Sequence, residues 1–160
     1  MTDDYLDVVQ REIVTTRIFE APRPLVFAAW TDPEQLKQWW GPKGFSNTFH
    51  TCEMKPGGIW NYTMHSPYGK DFENEARFVE ILVPERIVLD HISAPRFRLT
   101  ALFEEIGVHR TKLTFRQLFE TPEVYDAVKK LTTLGNEENF DRLAALLLAK
   151  QASESLADRT

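Results

Sequence analysis

A chain of 160 residues fits a single domain that buries roughly 70% of the surface its unfolded state exposes, so one sizeable core is expected. The formal net charge of −5 and pI near 5.4 exclude a general nucleic-acid binder, which needs a concentrated basic face to displace phosphate counterions; Arg96-Phe97-Arg98 and Lys129-Lys130 read as solvated edges. One cysteine, Cys52, excludes an intrachain disulfide and a thiolate metal cage, and no window approaches the roughly 18 apolar residues of a membrane span.

Residues 11 to 20 are rich in β-branched side chains and predict a long first strand. Ala21-Pro22-Arg23-Pro24 interrupts it. A proline tolerates the first turn of a helix because its missing donor would be unpaired there anyway, so a short helix is predicted from about Pro24 to Trp30. Asp32 and Pro33 then read as the N-cap and first residue of a second helix ending at Gly41-Pro42. From Phe45 to Glu120 the pattern alternates with breaks at Lys55-Pro56-Gly57-Gly58, Ser66-Pro67-Tyr68-Gly69-Lys70, Val83-Pro84-Glu85-Arg86, Ser93-Ala94-Pro95 and Ile106-Gly107-Val108-His109, which marks out six strands. The breaks are too short for parallel crossovers, so an antiparallel meander is predicted. Phe72 to Ile81 is the strand whose alternation breaks. Thr121-Pro122-Glu123 starts a long terminal helix that is expected to reach about Ala149, with Gly135 a place where it bends or splits and a polar tail beyond Gln151.

The order of strand, two short helices, six strands and a long helix allows one simple burial scheme, a curved sheet gripping the terminal helix with a cavity between them. Trp60, Tyr62 and Met64 share one face of a strand and give that cavity an aromatic wall, with Asn61, Thr63 and His65 opposite. Trp39 and Trp40 are expected to place one ring inside and one at the rim, and the pair, set between prolines and glycines, reads as a lid. His91 shares a face with Ile87 and Leu89, where it can donate to a ligand or serve as a satisfied structural histidine. Glu73 and Glu75 read as surface residues, and exposed helix polarity explains Asn136 and Asn139 most simply. Cys52 reads as a small packed hydrophobe, and the histidines lack metal-ligand spacing.

Ala21-Pro22, Thr31-Asp32-Pro33-Glu34, Trp39-Trp40-Gly41-Pro42, Pro56-Gly57-Gly58, Met64-His65-Ser66-Pro67, Pro84-Glu85-Arg86-Ile87 and Asp141-Arg142-Leu143-Ala144 occur in an order that resembles the START-like (SRPBCC, helix-grip) superfamily. Within it, the chain is similar to the family named for homology to the C-terminal domain of the HSP-90 ATPase activator. The resemblance covers about residues 11 to 149. It implies an α+β helix-grip domain over 11–149, with an N-terminal extension over 1–10 and the polar tail over 150–160. Its sheet is curved and antiparallel, with about seven strands enclosing a cavity with the terminal helix. Proteins of this superfamily bind lipids, sterols and polyketides, and some catalyse cyclisation or dehydration.

The expected function is therefore binding of a small hydrophobic or amphipathic ligand by a cytoplasmic protein with no metal, no cofactor, no nucleic-acid partner and no stable membrane insertion. Homodimerisation is left open. The expected lining is Trp30, Trp39, Trp60, Tyr62, Met64, Phe78, His91, Phe103, Phe115, Leu131, Leu134 and Phe140. Two other readings stand beside it. One is a cyclase, dehydratase or hydrolase using His91 or a buried glutamate as acid or base, which needs a histidine and carboxylate in contact inside the cavity. The other is a chaperone-associated interaction module, which needs an exposed apolar patch outside it.

Overall fold

The β-branched run forms β1 (Glu12–Phe19), with Ile13, Thr15 and Phe19 buried and Val14, Thr16 and Ile18 on the opposite, exposed face. The computed structural model describes residues 8–158, with side chains through residue 154; residues 1–7 of the predicted extension and the last two of the predicted tail lie outside them. The proline-rich interruption after β1 starts α1 (Arg23–Thr31). One residue later α2 (Pro33–Trp39) begins as the sequence predicts, with the Asp32 carboxylate accepting from Glu34 N at 3.1 Å.

Six strands follow: β2 (Ser46–Cys52), β3 (Ile59–His65), β4 (Asp71–Leu82), β5 (Arg86–His91), β6 (Phe97–Ile106) and β7 (Arg110–Phe119). They pair antiparallel with β1 in the order β1-β7-β6-β5-β4-β3-β2, so β1 and β2 are the edges of one seven-stranded sheet. The irregular strand is β4. Phe72, Asn74, Ala76 and Phe78 face inward up to a register shift between Phe78 and Glu80, after which Ile81 lies opposite Ile87. A bulge of this kind bends the strand and re-aims its side chains, which is why the alternation breaks there.

The terminal helix α3 (Pro122–Asp158) is capped by Thr121, whose Oγ1 accepts from Val124 N at 3.2 Å. It runs unbroken for 37 residues, about 55 Å at 1.5 Å per residue, and so corrects the expected stop near Ala149 and the expected break at Gly135. A single helical glycine costs about 1 kcal/mol, too little to break a helix held by neighbours on both sides. A Cβ at Gly135 would lie 3.5 Å from Pro42 Cγ, so this position is where the loop between α2 and β2 crosses the helix. The helix packs on β1, β7, α1 and α2. Its buried residues Asn136, Asn139, Phe140, Leu143 and Leu147 all follow Gly135, whereas residues 122–135 are half-buried or exposed.

The core sits between sheet and helices and is dominated by rings. Phe115, 1% exposed, lies 5.8 Å from Trp30 and 5.2 Å from Phe140, ring centre to ring centre, and thereby ties β7 to α1 and α3. Removing such a ring loses its transfer free energy and leaves a cavity. Phe115→Ala is expected to cost about 3–5 kcal/mol of unfolding free energy in urea titrations, against less than about 0.5 kcal/mol for the exposed Lys129→Ala. A cost below about 1 kcal/mol at Phe115 would show that the ring is not packed as described.

Candidate functional site

Helical spacing puts Phe27 and Trp30 of α1 on one side, and the strand period does the same for Trp60 and Tyr62 of β3. Trp30 lies 4.9 Å from Trp39, 5.7 Å from Trp40 and 5.8 Å from Phe103. Trp60 stacks on Tyr62 at 4.2 Å and on Phe78 at 6.0 Å, and meets Trp40 at 5.2 Å. Eight of the twelve sequence-predicted residues, Trp30, Trp39, Trp60, Tyr62, Phe78, Phe103, Phe115 and Phe140, therefore form one buried cluster, with Met64 half-buried against it. These rings occupy the middle of the grip, where the sequence places a cavity.

The cluster is partly satisfied in its polar atoms. Trp39 donates to Ala29 O at 2.9 Å and Trp40 to the Tyr62 hydroxyl at 3.3 Å. Burial pushes the Tyr62 hydroxyl's pKa well above its ordinary value, against the opposing effect of the Trp40 hydrogen bond. The indole N–H groups of Trp30 and Trp60 have no hydrogen-bond acceptor among the described residues.

Four expectations are corrected here. Leu131 and Leu134 are 77% and 59% exposed, because the buried stripe of α3 runs through Asn136, Asn139, Leu143 and Leu147 and leaves both leucines to the side. Trp39 and Trp40 are both buried, because the chain turns from helical to extended at Trp40 and brings its ring in as well. The loop after them is clamped: Arg142 Nη1 donates to the carbonyls of Trp40, Gly41 and Pro42 at 3.3, 2.9 and 3.0 Å, Nη2 to Gln38 O at 2.9 Å, and Asn139 Oδ1 accepts from Gly41 N at 3.1 Å. Such anchoring opposes a lid. Asn136 and Asn139 are buried and bonded, Asn136 donating to Gln117 Oε1 at 2.7 Å and Thr15 Oγ1 at 3.2 Å.

His91 lies apart from the cluster, at the end of β5, stacked on Phe97 at 4.7 Å. Its Nδ1 is 2.9 Å from Pro95 O and its Nε2 is 2.9 Å from Asn74 Oδ1; a neutral imidazole carries one N–H and donates to only one of these two oxygens, and with an oxygen against each nitrogen the ring is not a free donor. Asn74 Nδ2 donates to Phe72 O at 3.1 Å, which turns the amide oxygen toward the ring. No carboxylate is bonded to His91 among the described residues. The carboxylate contacts of the other histidines are on the outer face of the sheet, where His65 meets Asp71 at 2.8 Å and His50 reaches Glu73 through Thr63. The acid and base pair that the enzyme reading requires is therefore not assembled inside the grip. Cys52 is half-buried and burial pushes its thiol up to about 11, which suits packing rather than nucleophilic chemistry.

Sequence reasoning missed a cleft of about 600 Å3 between α1 and the turn from β4 to β5. Phe27, Ala28, Thr31, Met54, Ile81 and Val83 line it, and Thr31 spends its hydroxyl on Phe27 O at 3.0 Å. Its floor touches the cluster, since Phe27 lies 5.1 Å from Phe103. The signals were present but scattered: Met54 stands outside the β-strand alternation, and Val83 is an apolar residue in a turn, 70% exposed.

A bent antiparallel sheet holding a long C-terminal helix defines the helix-grip class of α+β proteins. The chain belongs to the family of Activator of Hsp90 ATPase homolog 1-like proteins, whose model matches residues 20–148. A protein of Arthrobacter aurescens solved by NMR is similar, with 27% identity, a TM-score of 0.81 and coverage of 89% of both chains. A crystal structure from Nitrosomonas europaea shares the fold at 22% identity and a TM-score of 0.81, covering 89% of this chain and 97% of that one. The crystal structure of an AHSA1 protein from Silicibacter pomeroyi does so at 20% identity and a TM-score of 0.67, covering 87% and 99%. No curated protein matches the sequence. Among the described residues no helix is long and apolar enough to cross a membrane.

The His91 environment makes stability pH-dependent. Burial holds its pKa below the ordinary 6.5, with main-chain contacts to Pro95 and Ser93 opposing. The unfolded chain then binds the proton more readily than the folded one, so stability is full above the unfolded pKa and is lost as pH falls through about 6.5 toward the folded value, at no more than about 1.4 kcal/mol per pH unit. Unfolding free energy measured from pH 7.5 to 5 is expected to fall less steeply in His91→Gln than in the parent. Identical slopes would contradict this role of His91.

Proposed function

We propose that the protein binds a small, uncharged apolar molecule, such as an acyl chain or an aromatic ring system, in the cleft between α1 and the turn from β4 to β5. The cleft itself is the observation that carries this reading. Its volume of about 600 Å3 falls within the range of small-molecule sites, and its walls are mostly apolar. A ligand burying about 200 Å2 of apolar surface would gain roughly 5 kcal/mol before the cost of association. Met54 gives the wall an adaptable side chain. Membership of the family supports a ligand-binding or related role, and the rings filling the grip favour the cleft over a site between sheet and α3.

N-phenyl-1-naphthylamine, an uncharged fluorescent probe, tests the assignment. The parent protein is expected to enhance its fluorescence saturably. Ala28→Trp, which fills the cleft from the half-exposed side of α1, is expected to weaken binding at least about tenfold, the loss of a well-buried apolar contact area, with the thermal transition retained. Leu131→Ala is expected to bind as the parent does. Parent-like affinity in Ala28→Trp would overturn the cleft assignment.

A further inference from the structure

The opposite end of the sheet carries a groove of different chemistry. β5 spans six residues, so the turn from β5 to β6 lies about 20 Å from the apolar cleft. There a groove of about 660 Å3 is lined by Arg11, Arg77, Arg96 and Arg98 together with Asp90 and Glu120. Arg77 and Arg96 each bring a guanidinium to this groove, on a chain whose net charge is −5.

Of the two arginines beside Asp90, one takes it. Arg77 and Arg98 flank Asp90 on neighbouring strands. Arg98 takes both oxygens of Asp90, Nε to Oδ1 at 2.8 Å and Nη2 to Oδ2 at 3.0 Å, a two-point contact that leaves Arg77 without it. Arg77 and Arg96 are exposed, and among the described residues neither is within ion-pair distance of a carboxylate. Arg11 donates to Phe119 O at 2.8 Å. The groove is also partly apolar: Ile92, Phe97 and Leu118 are half-buried in its wall, and Phe97 is backed by the His91 ring at 4.7 Å and by Phe119 at 5.3 Å.

We propose that this groove binds a small organic anion, a carboxylate, sulfonate or phosphate held by Arg77 and Arg96, with an attached aryl or short acyl group lying on Leu118, the register partner of Arg98, and on Ile92. Guanidiniums suit such groups because their donors match two oxygens at once. The proposal is independent of the apolar cleft, which shares no residue with the groove.

Calorimetric titration with phenyl phosphate at low ionic strength tests it. One saturable site is expected, weakened by 0.5 M salt and about tenfold weaker in the double variant Arg77→Gln, Arg96→Gln, as removal of two exposed charge contacts implies. Ala28→Trp, which fills the other cleft, is expected to bind phenyl phosphate as the parent does. Parent-like affinity in the double variant, or no binding at all, would overturn the proposal. Inorganic phosphate binding as tightly as phenyl phosphate would overturn the apolar half of it. Arginine-dependent sedimentation with phosphatidylglycerol vesicles, without binding of phenyl phosphate, would overturn it in favour of a membrane surface.

Discussion

The rest of the structure depends on the rings that fill the grip. Trp30, Trp39 and Trp40 come from α1, α2 and its cap, and they meet Trp60 and Tyr62 from β3 and Phe103 and Phe115 from β6 and β7. Aromatic side chains bury much area per residue and interlock edge to face, so few elements are needed to close the interior. With that volume occupied, α3 bears on β1 and β7 and on the two short helices, and is fixed there by the Asn136 and Arg142 contacts. The apolar cleft and the basic groove lie outside that filled interior, at opposite ends of β5.

Those ends differ in chemistry because their turns differ. Val83 and Pro84 in one turn leave an apolar cleft facing α1, whereas Arg96 in the other joins Arg77 and Arg98 on the sheet. His91 stands beside the basic end, its ring framed by Asn74 and Pro95. No carboxylate shares that frame among the described residues, so His91 contributes order and a pH dependence to the site rather than an acid and base pair.

The fold was legible because its signals are local. Asp32-Pro33 and Thr121-Pro122 each combine a cap with a residue suited to the first turn, and both helices start there. The broken alternation after Phe78 marked a real bulge. What failed was non-local. Leu131 and Leu134 were expected to line the grip, yet the angle at which the helix meets the sheet is set by distant partners, Gln117 and the loop at Gly41, and it left both leucines outside. Asn136 and Asn139 read as exposed because their buried partners lie about twenty to a hundred and twenty positions away in the chain. The same limit hid the cleft and the groove, whose residues come from three or more elements each.

In the proposed binding mode an apolar ligand sits against α1 and leaves the middle of the grip closed. Methionine methyl NMR tests this directly, since Met54 lines the cleft while Met64, on β3, packs against the ring cluster and is not part of the cleft. On titration with N-phenyl-1-naphthylamine a saturable shift of the Met54 methyl resonance and an unmoved Met64 resonance are expected. A shifted Met64 with Met54 unchanged would contradict it and place the ligand inside the grip.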